Sequence, residues 1–158
     1  RGQRSPRARG MDLFISIHHD SVQRRFLEPW EHEGVQRYFS DRFSGYSIFV
    51  SRENPRLAAS LACASAIGAA MRSAGFTPSL YHADPVLGEN RTFADKVNGV
   101  HYFDRLAVLR TASIPALLFE AGVIVNRDEE MRMHDPAVRT AMVGAMTTAI
   151  SECLAGRR

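Results

Sequence analysis

Two histidines and an aspartate close the stretch DLFISIHHD, residues 12–20, and a glutamate sits inside ALLFEAGV, residues 116–123. Imidazoles and carboxylates are the side chains that hold metal ions and move protons near neutral pH. A catalytic zinc takes three protein ligands, commonly histidines and a carboxylate, and keeps a fourth position for water. The ion lowers the pKa of that water to about 7 and polarises the carbonyl under attack. A further carboxylate must then accept the water's proton and hand it to the departing amine. In that scheme His18 is a metal ligand and Glu120 the proton shuttle. Plainer arrangements fit the same residues. His18 can be a hydrogen-bonded histidine where a strand meets water. Glu120 has apolar neighbours on both sides, so it must be ion-paired, protonated or at a rim, because a lone buried carboxylate is costly. Arg110 and Arg105 are near enough in sequence to pair with it. Asp20 is either a turn residue or an orienting partner for a histidine. His32, His82, His101 and His134 show no HExxH-like spacing and read as surface residues on loops.

For His18 and Glu120 to meet, their strands must lie parallel in one sheet with both ends on a single edge, where open α/β sheets carry their ligands. The apolar run from Asp12 to His18 suits a strand buried on both faces. Residues 45–51, GYSIFVS, form a second strand, and Ala116 to Ala121 a third. Between them, Asn54 and Pro55 supply an N-cap and a first-turn proline. The helix that follows aligns Leu57, Leu61, Ala64, Ile67 and Met71 and stops at Gly75. Asn126 or Asp128 caps a short acidic turn. Asp135 and Pro136 start a last helix with Val138, Met142, Ala145, Met146, Ala149 and Cys153 on its apolar face. Strands alternating with helices indicate an α/β sheet. Residues 22–44 mix charges and aromatics around Pro29 and Gly34, which predicts an irregular excursion with one short helix, placed to wall a cleft. Residues 77–104 carry Pro78, Pro85, Gly88, Asn98 and Gly99, which argues against regular structure and for a surface excursion or lid.

A chain of 158 residues is the size of one domain. Of its 20 basic residues, Arg1, Arg4, Arg7 and Arg9 lie in the opening RGQRSPRARG; the remaining 16 face 17 acids. The positive balance therefore belongs to a tail or linker, residues 1–10, and not to the body, residues 11–156. No basic, aromatic-interleaved face suggests nucleic acid as a partner, and no apolar run is long enough to span a membrane. Cys63 and Cys153 lack metal-type spacing and are expected as two buried thiols, with a disulfide between them as the alternative.

DLFISIHHDS and RLAVLRTASIPALLFEAGVIVNRDEE resemble two signature regions of the zinc-dependent N-acetylmuramoyl-L-alanine amidases. The similarity extends through GYSIFVSRENP and NGVHYFDR and covers the chain from Asp12 to about Glu130. The resemblance implies a mixed, mainly parallel sheet flanked by helices on both faces. It implies Zn2+ as cofactor and peptidoglycan as substrate, cut at the amide between N-acetylmuramic acid and L-alanine. It puts the family's Ser-Ile-His ligand on His18, leaves His19 at a variable position, and puts the catalytic acid/base on Glu120 of a Glu-x-Gly pattern. It also suggests a peptide-binding role for Arg110 and work in the periplasm or outside the cell. A Gly-His-Gly-Gly turn and a glutamate near the following helix, which supply further zinc ligands in the family, have no counterpart here. The expectation is thus the larger, C-terminal part of a catalytic domain, truncated at its N-terminal side. An activator protein or a preceding segment would complete it. The alternatives are a catalytically inactive module that binds peptidoglycan or a partner, and a zinc carboxypeptidase-like hydrolase.

Overall fold

The computed structural model describes residues 10–156, so the basic tail, apart from Gly10, lies outside the described residues. In chain order the elements are β1 (Phe14–Asp20), β2 (Glu28–His32), β3 (Val35–Phe39), β4 (Ser47–Val50), α1 (Leu57–Ser73), β5 (Phe93–Asp95), β6 (Val100–Tyr102), α2 (Ala107–Arg110), β7 (Ala116–Val123), α3 (Arg127–His134) and α4 (Pro136–Ala155). The three strands expected from the apolar runs form the middle and one edge of a sheet ordered β1-β7-β4-β6-β5. β1–β7 and β4–β6 pair in parallel, β4–β7 and β5–β6 antiparallel. This is the mixed sheet flanked by helices that the sequence implied. Side chains alternate across the sheet. Ile48, Val50, Leu117, Phe119 and Ala121 pack on α1 and α4, while Phe49, Ala116 and Leu118 meet Leu109 of α2 on the other face.

Local chemistry fixes the helix ends. Gly75, at φ 87°, closes α1: its N–H donates to Arg72 O, and the Phe76 N–H to Met71 O. That is the paired bonding of a Schellman turn, which needs a residue tolerant of positive φ. Asn126 accepts from the N–H groups of Asp128 and Glu129 to cap α3, and Asp135 accepts from Ala137 N to cap α4. Asn54, expected as the cap of α1, does something else. Its carbonyl oxygen accepts from Arg56 N, and its buried amide donates to Leu109 O at 2.7 Å and more weakly to the carbonyls of Ala112 and Ile114. It thereby ties the start of α1 to the segment that leads into β7.

Two stretches expected to be irregular contain strands. Residues 28–39 are a hairpin, β2–β3, turned at Glu33 (φ 52°) and Gly34 (φ 73°). Two consecutive positive φ values are what a two-residue hairpin of this hand needs, so Gly34 marks a turn and not a break. Pro29 is tolerated because each strand of a two-stranded ribbon is an edge. The helix foreseen there is only a 3-10 turn, Arg24–Phe26. In residues 77–104, β5 and β6 extend the main sheet around a turn in which Asp95 accepts from Asn98 N and Nδ2. Three-residue strands are too short for alternation to show in sequence. Residues 93–102 are thus part of the sheet, β5 forming its edge.

Cys63 of α1 and Cys153 of α4 form a disulfide with Cα atoms 5.2 Å apart, which corrects the expectation of two free thiols. Around the bond, Cys63, Ala64, Ile67 and Met71 of α1 share one buried core cluster with Met142, Met146 and Ala149 of α4.

Gly68 lets α1 sit against the β5–β6 turn: a Cβ there would lie 2.1 Å from Asn98 O. Tyr46, just ahead of β4, donates its Oη hydrogen to Gly68 O at 2.9 Å, so the helix cannot easily withdraw. Gly68→Ala should therefore cost about 1–3 kcal/mol by overpacking despite the better helix propensity of alanine. Urea denaturation measures this, and an unchanged midpoint would mean that the turn moves aside freely.

Candidate functional site

His18 and Glu120 are Cα partners in the parallel β1–β7 pair, and Ser47 is the Cα partner of Glu120 in the antiparallel β4–β7 pair. Residues in register share a face. His18, Glu120 and Ser47 thus form one row across three strands, on the face that also carries Phe49, Ala116 and Leu118. The two strand ends singled out in the sequence do converge.

The members of the row differ in surroundings. His18 is exposed, with Nε2 2.9 Å from Ser16 Oγ. Glu120 is 8% exposed, and its Oε2 has no hydrogen-bond partner. Burial pushes its carboxyl up to about 7, the charge of Asp20 adds to the rise, and His82 opposes it. The expected rescue by arginine does not occur. Arg110 lies instead 3.7 Å from Glu53, with both side chains largely exposed. Of the three earlier alternatives for Glu120, a carboxyl protonated near neutral pH fits its raised pKa, whereas its free oxygen has no ion-pair partner. Ser47 is fully buried, and its Oγ is also unpartnered.

Beside the row, His82 is buried between two carboxylates, with Nε2 2.6 Å from Asp20 Oδ2 and Nδ1 2.9 Å from Glu89 Oε2. Arg91 pairs with the same Glu89 oxygen, and Gln23 Nε2 donates to the other. Burial alone would lower the His82 pKa, but the bonds to Asp20 and Glu89 outweigh it and the pKa is raised. Two ring nitrogens facing two carboxylates act as donors together only in the imidazolium form. His101 is fully buried among the rings of Phe49, Phe93 and His82, and burial, with the nearby His82 charge, lowers it to about 4. Both histidines were read as surface residues, and both are interior. Asp20 does orient a histidine, but that histidine is His82, 62 residues away. No spacing rule could have paired them. For Ser47 a faint signal existed, a hydroxyl inside the otherwise apolar GYSIFV.

Glu129 shapes the end of β7. Its carboxylate accepts from Gly45 N at 2.7 Å and Val123 N at 2.6 Å, and lies 3.1 Å from where a Gly122 Cβ would be. The glycine of the Glu-x-Gly pattern is thus explained by a close carboxylate. His19 lines a mainly apolar cavity of about 420 Å³ with Val123, Met133, His134, Met142 and Val143. A second cavity, of about 300 Å³, lies by Gly45, Tyr46, Asn126 and Glu129. Neither is lined by His18 or Glu120.

As a zinc site the arrangement is incomplete. Among the described residues, no group of three or more His, Cys, Asp or Glu side chains is placed to hold a metal ion. Asp20 and His82, whose charges act on Glu120, are committed to each other. Around His18 no three-ligand set is assembled among the described residues.

The sequence model of one family, described as N-acetylmuramoyl-L-alanine amidase, matches residues 4–152. Solved structures show the same fold. The N-acetylmuramyl-L-alanine amidase Ami1 from Mycobacterium smegmatis superposes with a TM-score of 0.65 at 18% identity, over 91% of this chain and 54% of that one. The catalytic domain of the amidase CwlV from Bacillus (Paenibacillus) polymyxa var. colistinus gives 0.59 at 22%, over 90% and 57%. The CwlD amidase from Clostridioides difficile, in complex with the GerS lipoprotein, gives 0.60 at 16%, over 91% and 55%. The chain therefore spans little more than half the length of these structures. Comparison with curated proteins finds no match.

Proposed function

The chain belongs to the N-acetylmuramoyl-L-alanine amidase family, and from that premise we propose that it serves hydrolysis of the amide between the lactyl group of N-acetylmuramic acid and L-alanine in peptidoglycan. The observation that carries the proposal is Glu120: a buried carboxyl with an unpartnered oxygen and a pKa raised to about 7, in register with His18. A group poised there can take a proton from the attacking water and return it to the leaving nitrogen of L-alanine as the C–N bond breaks. Its low exposure keeps that proton from exchanging freely with bulk solvent.

In this proposal His18 is one ligand of a catalytic zinc, and the other ligands come from sequence outside these 158 residues. Coverage of little more than half of the related structures supports this. So does the edge position of β1, where Ile17 is 63% exposed. A preceding segment or an activator protein would cover that edge, and the CwlD–GerS complex is a precedent for a protein partner in the family. The site of action would be the periplasm or the cell exterior, in keeping with the Cys63–Cys153 disulfide. The missing ligand set favours a second reading, an inactive module that binds peptidoglycan without cutting it.

Zinc content and turnover separate the two. The 158-residue chain should hold well under one equivalent of zinc, and the protein with its native preceding sequence about one. That longer protein should cleave muropeptides and spare plain peptides. His18→Ala in it should weaken zinc binding by at least roughly 10- to 100-fold, the range seen even for residues that only orient ligands. Full zinc loading of the variant would transfer the ligand role elsewhere. A longer protein that takes up no zinc at micromolar metal would establish the inactive module.

A further inference from the structure

Among the described residues, the buried side-chain atoms without a hydrogen-bond partner are Ser47 Oγ, Glu120 Oε2 and the two ring nitrogens of His101. All belong to one face of the sheet, since His101 is in register with Phe49 and Ser47 with Glu120. Interiors rarely leave such atoms unpaired, so each calls for a reason. Ser47 and Glu120 stand directly opposite each other in an antiparallel pair, which puts their Cβ atoms about 4.5–5.5 Å apart. One is a hydroxyl that can donate, and the other, when ionised, is a carboxylate that can only accept. The serine hydroxyl can swing between staggered positions about its Cα–Cβ bond, and a glutamate side chain readily spans the remaining gap.

We infer that Ser47 is a positioning residue for Glu120: its hydroxyl donates to Glu120 Oε2, directly or across one buried water, and holds the carboxylate in the orientation from which it takes a proton. This rests on the proposed role of Glu120 as the proton shuttle. Proton transfer demands placement within fractions of an ångström. Yet nothing else in the structure ties the free Glu120 oxygen, while Asp20 repels the ionised form. A charge-assisted bond from Ser47 supplies both direction and local stabilisation. The hydroxyl is otherwise unaccounted for, because alanine would fill a fully buried site of this kind without a polar atom to satisfy.

A double-mutant cycle in the zinc-loaded protein with its native preceding sequence tests this. Ser47→Ala should lower kcat on a muropeptide roughly 10- to 100-fold, the worth of one hydrogen bond to a charged group, with KM little changed. In a Glu120→Gln background the same substitution should have almost no further effect, because the group it serves is already lost. Should Ser47→Ala not fold, Ser47→Cys keeps the volume with a much weaker donor and should show the same pattern. An unchanged kcat in Ser47→Ala, or an equal loss with and without Glu120, overturns the inference and leaves the role of Glu120 standing. Full activity in Glu120→Gln alone would instead remove the reading on which the inference rests.

Discussion

Glu120→Gln should lower turnover by roughly two to four orders of magnitude, the usual loss when a general acid/base is removed, while zinc content stays at that of the parent. Glutamine has nearly the same shape and fills the same space beside Ser47 and His18, but it can neither take nor return a proton. The substitution should also reveal the cost of keeping this carboxyl buried. Its folded pKa, about 7, lies above the ordinary value of 4.5. A raised pKa contributes stability fully below the unfolded value and loses it as pH rises through the folded one. The metal-free parent chain should therefore become less stable between about pH 4.5 and 7, relative to a Glu120→Gln chain that has no such titration. At pH 8 the glutamine variant should be more stable by an amount on the order of 1–3 kcal/mol, and at pH 4 the two should nearly coincide. The raised His82 pKa acts in the same direction in both chains, so the difference between them isolates Glu120. Equal stability at pH 8 would show that the carboxyl is not desolvated, and undiminished turnover would dismiss it as the proton carrier.

The parts of the fold legible in the sequence are those whose physics is local or strongly periodic. Three apolar runs announced β1, β4 and β7, and the spacing of Leu57, Leu61, Ala64, Ile67 and Met71 announced α1. Their strand ends also gave His18 and Glu120, because titratable groups closing an apolar run need a reason to be there. What stayed hidden depends on contacts distant along the chain. The Asp20–His82–Glu89 cluster links residues 62 and 7 apart through two short bonds, and a histidine between prolines looks like any loop histidine until its partners are known. Ser47 matters because of what it faces across a strand pair. The β2–β3 hairpin was missed for the opposite reason. Its turn chemistry is local, but Glu33 adopts a positive φ that glutamate does not advertise. Asn54 carried a capping signature and spends its side chain on the carbonyls ahead of β7, a case of tertiary structure claiming a residue that local propensity assigns elsewhere.

Reducing the Cys63–Cys153 bond should destabilise the chain by about 2–5 kcal/mol, the usual cost of losing a native disulfide. The two cysteines are 90 residues apart in sequence, so in the unfolded state the bond closes a loop that takes in most of the chain. On the chain-entropy account a loop of this size is worth roughly 4–5 kcal/mol. The bond joins α1 to α4, so it also staples together the two helices that cover one face of the sheet. Substitution mixes this effect with a packing defect, since Cys63 is fully buried and any replacement changes the core. The same chain compared with and without dithiothreitol avoids that mixture, because no atom but the two thiol hydrogens differs. For a domain of this size the expected fall in melting temperature is roughly 5–20 °C. A chain produced in an oxidising compartment should resist alkylation at both positions after denaturation without reductant, whereas one made in a reducing cytosol should take up two labels and melt at the lower temperature. Two labels on protein from the oxidising compartment would show that the thiols never join, and would withdraw the disulfide's support for a periplasmic or external site of action.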